Sequence, residues 1–263
     1  MIDLHCHILP GLDDGPQTID ESLAIAEAAV AGGTRTVVAT PHVNSRYELD
    51  PRRIPPAVEE LRAALRDRGI GLEVLAGAEI AQSRLDTLDR ATLRSLRLGA
   101  GPYLLIECPL SPPPRDFESE VLELLKSGER VLLAHPERSP LFMQKRARLQ
   151  RLVRAGALSS VTAASMTGRF GDTVRHFTLG LLADGLVHDV SSDAHDARHR
   201  SPALLEGFRH AEADLPGILE QAEWFTAIAP AAILAGERPS ARPKPPRRRP
   251  RRGRRLRLLG RSG

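Results

Sequence analysis

The feature that most constrains this chain is an alternation of short apolar runs with amphipathic segments over its first 236 residues. The runs are MIDLHCH (1–7), RTVVAT (35–40), GLEVLAGAEI (71–80), PYLLIEC (102–108), RVLLAH (130–135), SSVTAA (159–164) and LVHDVSS (186–192). Helical patterns lie between them. Thr18 followed by Glu21 forms a capping box, and Ile19, Leu23, Ala26 and Val30 make an apolar stripe that Gly32 and Gly33 end. A second helix uses Val58, Leu61 and Leu65 and stops at Gly69, and further helices fit 116–127, 141–155 and 172–184. Strands separated by helices predict right-handed βαβ units and a parallel sheet. Seven strands suit a closed, TIM-like barrel. An open doubly wound sheet is the alternative, but it usually carries a glycine-rich phosphate turn after its first strand, where GLDDG stands here.

The ends of these runs hold the chemistry. His5 and His7 end the first, His42 follows the second, Glu79 ends the third and Glu107 the fourth. His135, Glu137 and Arg138 follow the fifth, and Asp193 and His195 follow the seventh. In parallel barrels the C-terminal strand ends form one face, where active sites are built. Strand residues at i and i+2 point to the same side, so His5 and His7 can hold one ion together while Cys6 points away. Mixed histidine and carboxylate ligation favours Mn, Fe or Zn over Mg or Ca.

Composition narrows the class further. No apolar stretch reaches the ~20 residues that span a bilayer. The first residues are ligand-type rather than a basic region followed by an apolar run, which predicts no signal peptide. Two cysteines, Cys6 and Cys108, cannot staple a scaffold of this size, so a cytoplasmic protein is expected. The sequence pI of 9.6 comes from the C-terminus. Residues 237–263 hold twelve basic residues and one acid, whereas 1–236 hold 25 basic and 32 acidic residues. We therefore expect one globular domain over 1–236 and a disordered Arg/Pro-rich tail over 237–263. That tail suits anionic surfaces, but without aromatic residues to stack on bases it predicts no specific nucleic acid.

MIDLHCHILPGLDDGP, ATPHV, GAEI, IECP, LAHPER and SSDAH, in order from Met1 to about Glu237, resemble the motifs of the PHP (polymerase and histidinol phosphatase) superfamily. More closely, they resemble its bacterial protein-tyrosine phosphatases, which are encoded with capsular and exopolysaccharide synthesis genes. The resemblance implies a distorted (β/α)7 barrel, the PHP fold, carrying three divalent metal ions, Mn with Fe or Zn as alternatives. It implies His5, His7, Glu79 and Asp193 on the first metal; Glu79 as a bridge with Glu107 and His135 on the second; and Asp14, His42 and His195 on the third. Several PHP enzymes have a histidine where Asp14 falls, and the sequence leaves Asp13 open as the ligand instead. Arg138 and Arg200 fall where the family places substrate-binding arginines. The implied substrate is a phosphotyrosine protein, with a bacterial tyrosine kinase as candidate partner, in control of exopolysaccharide or capsule synthesis.

The physical reasoning agrees with such a reading. Clustered cations lower the pKa of a bridging water, and the hydroxide attacks phosphorus in line. Guanidinium forks match phosphoryl oxygens. Neither cysteine fits a Cys-x5-Arg loop: Cys6 meets Leu12, and Cys108 meets Pro114 with Arg115 one position late. Rival readings are a small-molecule phosphatase such as one for histidinol phosphate, a phosphodiesterase or exonuclease, and a non-catalytic binding module. His176, His188, His199 and His210 read as surface or packing residues, and Cys6 and Cys108 as buried hydrophobes. Tyr47 reads as a loop tyrosine or a stacking platform for a substrate ring, and Arg198 and Arg115 as substitutes for Arg200 or as residues without a role.

Overall fold

The computed structural model describes residues 1–47, 49–112 and 115–245. Nine strand segments form in chain order: β1 (Ile2–Cys6), β2 (Thr36–Ala39), β3 (His42–Val43), β4 (Glu73–Ala76), β5 (Glu79–Ile80), β6 (Tyr103–Glu107), β7 (Arg130–Ala134), β8 (Leu158–Thr162) and β9 (Asp189–Ser191). Every strand pairing is parallel, in one sheet ordered β1-β2-β4 and another ordered β3-β5-β6-β7-β8-β9. The closed barrel expected from seven strands is therefore corrected to two parallel sheets, with no continuous ladder closing them among the described residues. The seven runs are all present, and the third is split. Pro41 has no N–H for the ladder, so β2 stops at Ala39 and β3 forms beyond the second run, from His42. Gly77 breaks the third between β4 and β5. A Cβ there would lie 2.8 Å from Val38 Cγ1, so no larger residue fits.

The gap between β1 and β9 is spanned by loop backbone rather than by a continuous ladder. His7 N donates to Ala194 O at 2.8 Å and Asp193 N to His5 O at 2.8 Å, around a single Cys6–Ala194 bridge. Polar side chains take ladder positions: Asp3 Oδ1 accepts from Ser192 N at 3.0 Å, and Thr40 Oγ1 accepts from Cys6 N at 3.0 Å.

Outside the sheets, the expected capping box forms. Thr18 Oγ1 accepts from Glu21 N, and Glu21 Oε2 accepts from Thr18 N, at the start of helix Ile19–Ala31. Helix Ile54–Asp67 buries Ile54, Val58, Leu61 and Leu65 as a single stripe. The helix expected over 141–155 is two, Pro140–Gln144 and Arg146–Arg154, broken at Lys145. The run 159–164 ends as a strand at Thr162, where helix Ala163–Thr167 begins.

Two apolar clusters flank the strands. An inner one joins Leu4, Val38, Leu105 and Leu132 to Ile233 of helix Ala229–Ala235, while an outer one packs Ile106, Leu133 and Val190 under the surrounding helices. Leu4 is inner and Cys6 outer although they lie two apart, because the β1–β2 register shifts between Asp3 and Cys6.

The charge and proline content predict disorder from 237, but residues 238–244 lie against the body. Trp224 Nε1 donates to Ser240 Oγ at 3.3 Å, Gln221 Nε2 donates to Lys244 O at 2.9 Å, and Arg242 stacks over the Phe225 ring at 4.8 Å. The aromatic surface of the 224–225 segment gives this stretch something to bury against. The disorder expected over 246–263 lies outside the described residues. Among the described residues no helix is long and apolar enough to cross a membrane.

Candidate metal centre

The C-terminal strand ends bring eight of the nine expected ligands into four overlapping groups with carboxylates and imidazoles facing inward, and the loop after β1 adds Asp14. The groups are His5–His7–Asp193, His5–Glu79–His135, His42–Glu79–Glu107 and His7–Asp14–His42–His195, each with ligand atoms within 4.8 Å of one another. The resemblance sets Glu107 beside His135; here Glu107 gathers with His42 and Glu79, and His135 with His5 and Glu79. Most of these side chains are buried, whereas Asp14 is 41% exposed at the edge.

The spacing of these atoms fits cations better than it fits hydrogen bonds. A cation with bonds of ~2.1 Å holds neighbouring ligand atoms about 3.0 Å apart in an octahedron and about 3.4 Å apart in a tetrahedron. His5 Nε2 and His7 Nε2 lie 3.1 Å apart, and each lies 3.5 Å from Glu79 Oε2 and 3.5 Å from Asp193 Oδ1. His42 Nδ1 is 2.8 Å from Glu79 Oε2, yet neither atom has a hydrogen-bond partner among the described residues. His135 Nδ1 and His195 Nε2 are likewise buried and orphaned. Orphaned polar atoms are rare in folded interiors, and a cation satisfies several at once.

Hydrogen bonds on the far side of the rings set their tautomers. His7 Nδ1 donates to Asp13 Oδ2 at 2.7 Å, which leaves the Nε2 lone pair facing the cluster. His195 Nδ1 donates to the Asp193 carbonyl at 3.1 Å, leaving Nε2 toward Asp14 Oδ1 at 3.3 Å. Asp13 is saturated: besides His7 it accepts from Gly15 N at 2.9 Å and His42 N at 2.9 Å. Asp14 presents its carboxylate to His42 and His195, whereas Asp13 holds His7.

The electrostatics follow from this crowding. Burial pushes the Glu79 carboxyl up, but His5, His42 and His135 outweigh it and hold it well below the usual range. Burial and then the Glu79 charge push Glu107 up. The His195 ring facing it at 3.3 Å is the main cause that lowers Asp14. Against burial, His7 holds Asp13 down to about 2. Cys6 and Cys108 are fully buried, and burial pushes both thiols well up, so neither supplies a thiolate at neutral pH.

Backbone strain marks the same place. Among the described residues only two non-glycine residues have positive φ, His135 at 36° and Asp193 at 51°, and both belong to the ligand groups. Such conformations cost of order 1–3 kcal/mol and persist where surrounding structure holds them.

Arg138 and Arg200 meet at Asp193. Arg138 Nη1 donates to Asp193 Oδ2 at 2.6 Å and Arg200 Nη2 donates to the same oxygen at 2.8 Å, while Oδ1 faces the histidines. Arg138 also stacks over Phe170 at 4.5 Å, and Arg200 Nε is buried without a partner. The loop that delivers Arg200 is held by Asp196, which accepts from the backbone N–H groups of Arg198, His199 and Arg200. Sequence reading missed Asp13 and Asp196 as positioning residues. An aspartate preceding a turn carries that signal for Asp196, but nothing local marks Asp13.

Arg115, Arg198 and Glu137 belong to none of the ligand groups, whereas Tyr47 packs on one of their members. Arg115 pairs with Asp86 and Glu120, and Arg198 is exposed. Glu137 accepts from Thr162 N and Ser165 Oγ and so supports helix Ala163–Thr167. Tyr47 stacks on His42 at 5.6 Å with the rings 9° from parallel.

Comparison with known proteins adds a second line. The sequence model of the family described as "Capsular polysaccharide synthesis, CpsB/CapC" matches residues 1–216. The chain belongs to the CpsB/CapC family. This CpsB/CapC member is 38% identical over 226 residues to the tyrosine-protein phosphatase YwqE of Bacillus subtilis, covering 84% of this chain and 89% of YwqE. It is 32% identical to the putative tyrosine-protein phosphatase CapC of Staphylococcus aureus, over 78% of this chain and 81% of CapC. The fold superimposes at a TM-score of 0.81 and 33% identity on a crystal structure from work on YwqE from Bacillus subtilis and CpsB from Streptococcus pneumoniae, described as unique metal-dependent tyrosine phosphatases. That match covers 95% of this chain and 100% of the solved one. Histidinol phosphate phosphatase from Lactococcus lactis, at 12% identity and a TM-score of 0.52, shares the CpsB/CapC chain's fold alone.

Proposed function

We propose that this chain is a metal-dependent phosphomonoesterase that hydrolyses phosphotyrosine in protein substrates. The observation that carries the reading is the set of buried ligand atoms without a hydrogen-bond partner among the described residues, His42 Nδ1, Glu79 Oε2 and His195 Nε2, at one end of the strands. Membership of the CpsB/CapC family, whose relatives include proteins named as tyrosine-protein phosphatases, supports it. His5, His7, Glu79 and Asp193 would hold one cation, Glu79 with Glu107 and His135 a second, and Asp14, His42 and His195 a third. Manganese suits this mixed donor set, with iron or zinc as alternatives. Divalent cations there would supply Lewis acidity, lowering the pKa of an attacking water and offsetting phosphoryl charge.

The protein's own groups do the rest. Asp13 fixes the His7 tautomer and the His42 backbone. Arg138 and Arg200 anchor Asp193 with one nitrogen each, which leaves other guanidinium donors, Arg200 Nε among them, for phosphoryl oxygens. A cavity of about 620 Å³ beside Asp14 and His195, walled in part by Pro16, Ala24 and Ala197, offers apolar surface for an aryl group. A bacterial tyrosine kinase is the fitting source of such substrate, and two unpaired cysteines fit cytoplasmic residence. The test compares turnover on a phosphotyrosyl peptide with that on histidinol phosphate for metal-loaded protein. Preference for the peptide supports the reading, and preference for histidinol phosphate moves it to small-molecule hydrolysis.

A further inference from the structure

A second polar cavity lies at the opposite end of the strands. It has a volume of about 690 Å³ and is walled by the first residues of β6, β7 and β8, by His188 just before β9, and by the 238–242 segment. The metal-ligating groups lie at the other strand ends. A five-residue strand rising ~3.3 Å per residue sets the two faces roughly 15 Å apart. The volume lies within the usual range for small-molecule sites, about 300–1,000 Å³.

Its charge is one-sided. Arg130, Arg154, Arg238 and Arg242 all line it, and none forms an ion pair among the described residues. The single acid in the wall among the described residues, Glu129, is taken by Arg97 at 2.6 Å. Arg242 Nη2 donates to Leu182 O at 2.7 Å, but its Nε and Nη1 are buried without partners. Burial pushes that guanidinium down to about 10, so it is still a cation at neutral pH. His188 Nδ1 accepts from Ser159 N at 3.2 Å, which places the ring proton on Nε2 as a further donor. Burial and then the Arg242 charge lower His188 to about 4, so the ring is neutral at pH 7.

Four guanidinium groups around one cavity, with no carboxylate free to answer them, call for an anion of more than one charge. Guanidinium forks match phosphoryl oxygens two at a time. A single carboxylate would leave most of that charge unanswered. We propose that this cavity binds a small molecule bearing a pyrophosphate group, held by Arg130, Arg154, Arg238 and Arg242. The site is separate from the metal face, and its occupant seats the 238–242 segment against the body by supplying the partners that Arg242 lacks.

Trp224, the only tryptophan of the chain, lines this cavity and reports on it directly. Full-length, metal-loaded protein is titrated with ADP and, separately, with AMP at matched ionic strength, following tryptophan emission. The expected result is a saturable change with ADP, at least tenfold weaker binding of AMP, and at least tenfold weaker ADP binding in Arg154→Ala and Arg242→Ala. Arg154 is exposed, so Arg154→Ala tests the site even if Arg242→Ala loosens the packed segment. No saturable change with ADP overturns the proposal, as do curves for Arg154→Ala that superimpose on the wild type. AMP binding as tightly as ADP overturns the pyrophosphate assignment.

Discussion

His7 Nδ1 donates to Asp13 Oδ2 across 2.7 Å, and this bond points the other nitrogen of the ring at His5, Glu79 and Asp193. Partners that orient a ligating histidine are typically worth 10–100-fold in metal affinity or activity. Asp13→Asn replaces one of the two acceptor oxygens, which serve Gly15 N on one side and His7 Nδ1 and His42 N on the other, with an NH2 that cannot accept. Isothermal titration with Mn should show affinity weakened by 10–100-fold while the far-ultraviolet circular dichroism stays unchanged. An unaltered affinity would return Asp13 to a purely structural role.

Glu79 contacts more of the cluster than any other carboxylate, facing His5, His7 and His42 through Oε2 and His135 through Oε1. Glu79→Ala should therefore lose metal from two positions and reduce turnover more than His42→Ala does. Metal content measured by inductively coupled plasma mass spectrometry decides between them. Equal stoichiometry in Glu79→Ala and wild-type protein would remove Glu79 from the bridging position.

Arg138 and Arg200 share one oxygen of Asp193. Removing either leaves that carboxylate with one anchor and takes away a donor to substrate. Loss of a charge-assisted donor of this kind typically costs on the order of 10²–10³ in rate. Steady-state assays of Arg138→Ala and Arg200→Ala should show kcat reduced by that order, with part of the loss recovered in the lysine variants. Wild-type kinetics in both alanine variants would show that neither arginine touches the reaction.

Much of this arrangement was legible in the chain. The seven apolar runs, the Thr18–Glu21 cap and the ligand types at strand ends depend on local pattern, and His5, His7, Glu79, His135 and Asp193 gather as that pattern implies. What was not legible depends on contacts distant in sequence. The break at Gly77 arises because Val38 of the neighbouring strand approaches its backbone too closely for a Cβ, which no single run reveals. The positive φ of His135 and Asp193 is imposed by tertiary context, since neither residue type announces it. The docking of 238–244 on Trp224 and Phe225 overrides a composition that by itself reads as disordered.

Asp189 gives a pH dependence with a definite sign. It is fully buried, accepts from Ser160 Oγ and Ser191 Oγ, and burial pushes its carboxyl up from 3.8 to about 7. The folded state thus keeps a proton that the unfolded chain releases, and stability falls as pH rises from about 4 to about 7. Asp189→Asn removes that loss. Urea unfolding at fixed metal concentration should find the variant more stable than wild type at pH 8, by on the order of a few kcal/mol, with no such advantage at pH 4. An equal difference at both values would show that Asp189 does not titrate in this range.

The most direct test of the central claim is turnover of a phosphotyrosyl peptide by a Cys6→Ala/Cys108→Ala protein, measured with its metal content before and after chelation. The account predicts that the cysteine-free protein, loaded with divalent metal, hydrolyses the peptide at a rate close to wild type. It also predicts that chelation abolishes turnover and that added Mn restores it. Hydrolysis that survives complete metal removal, or that disappears with the cysteines while the metal stays bound, would contradict it.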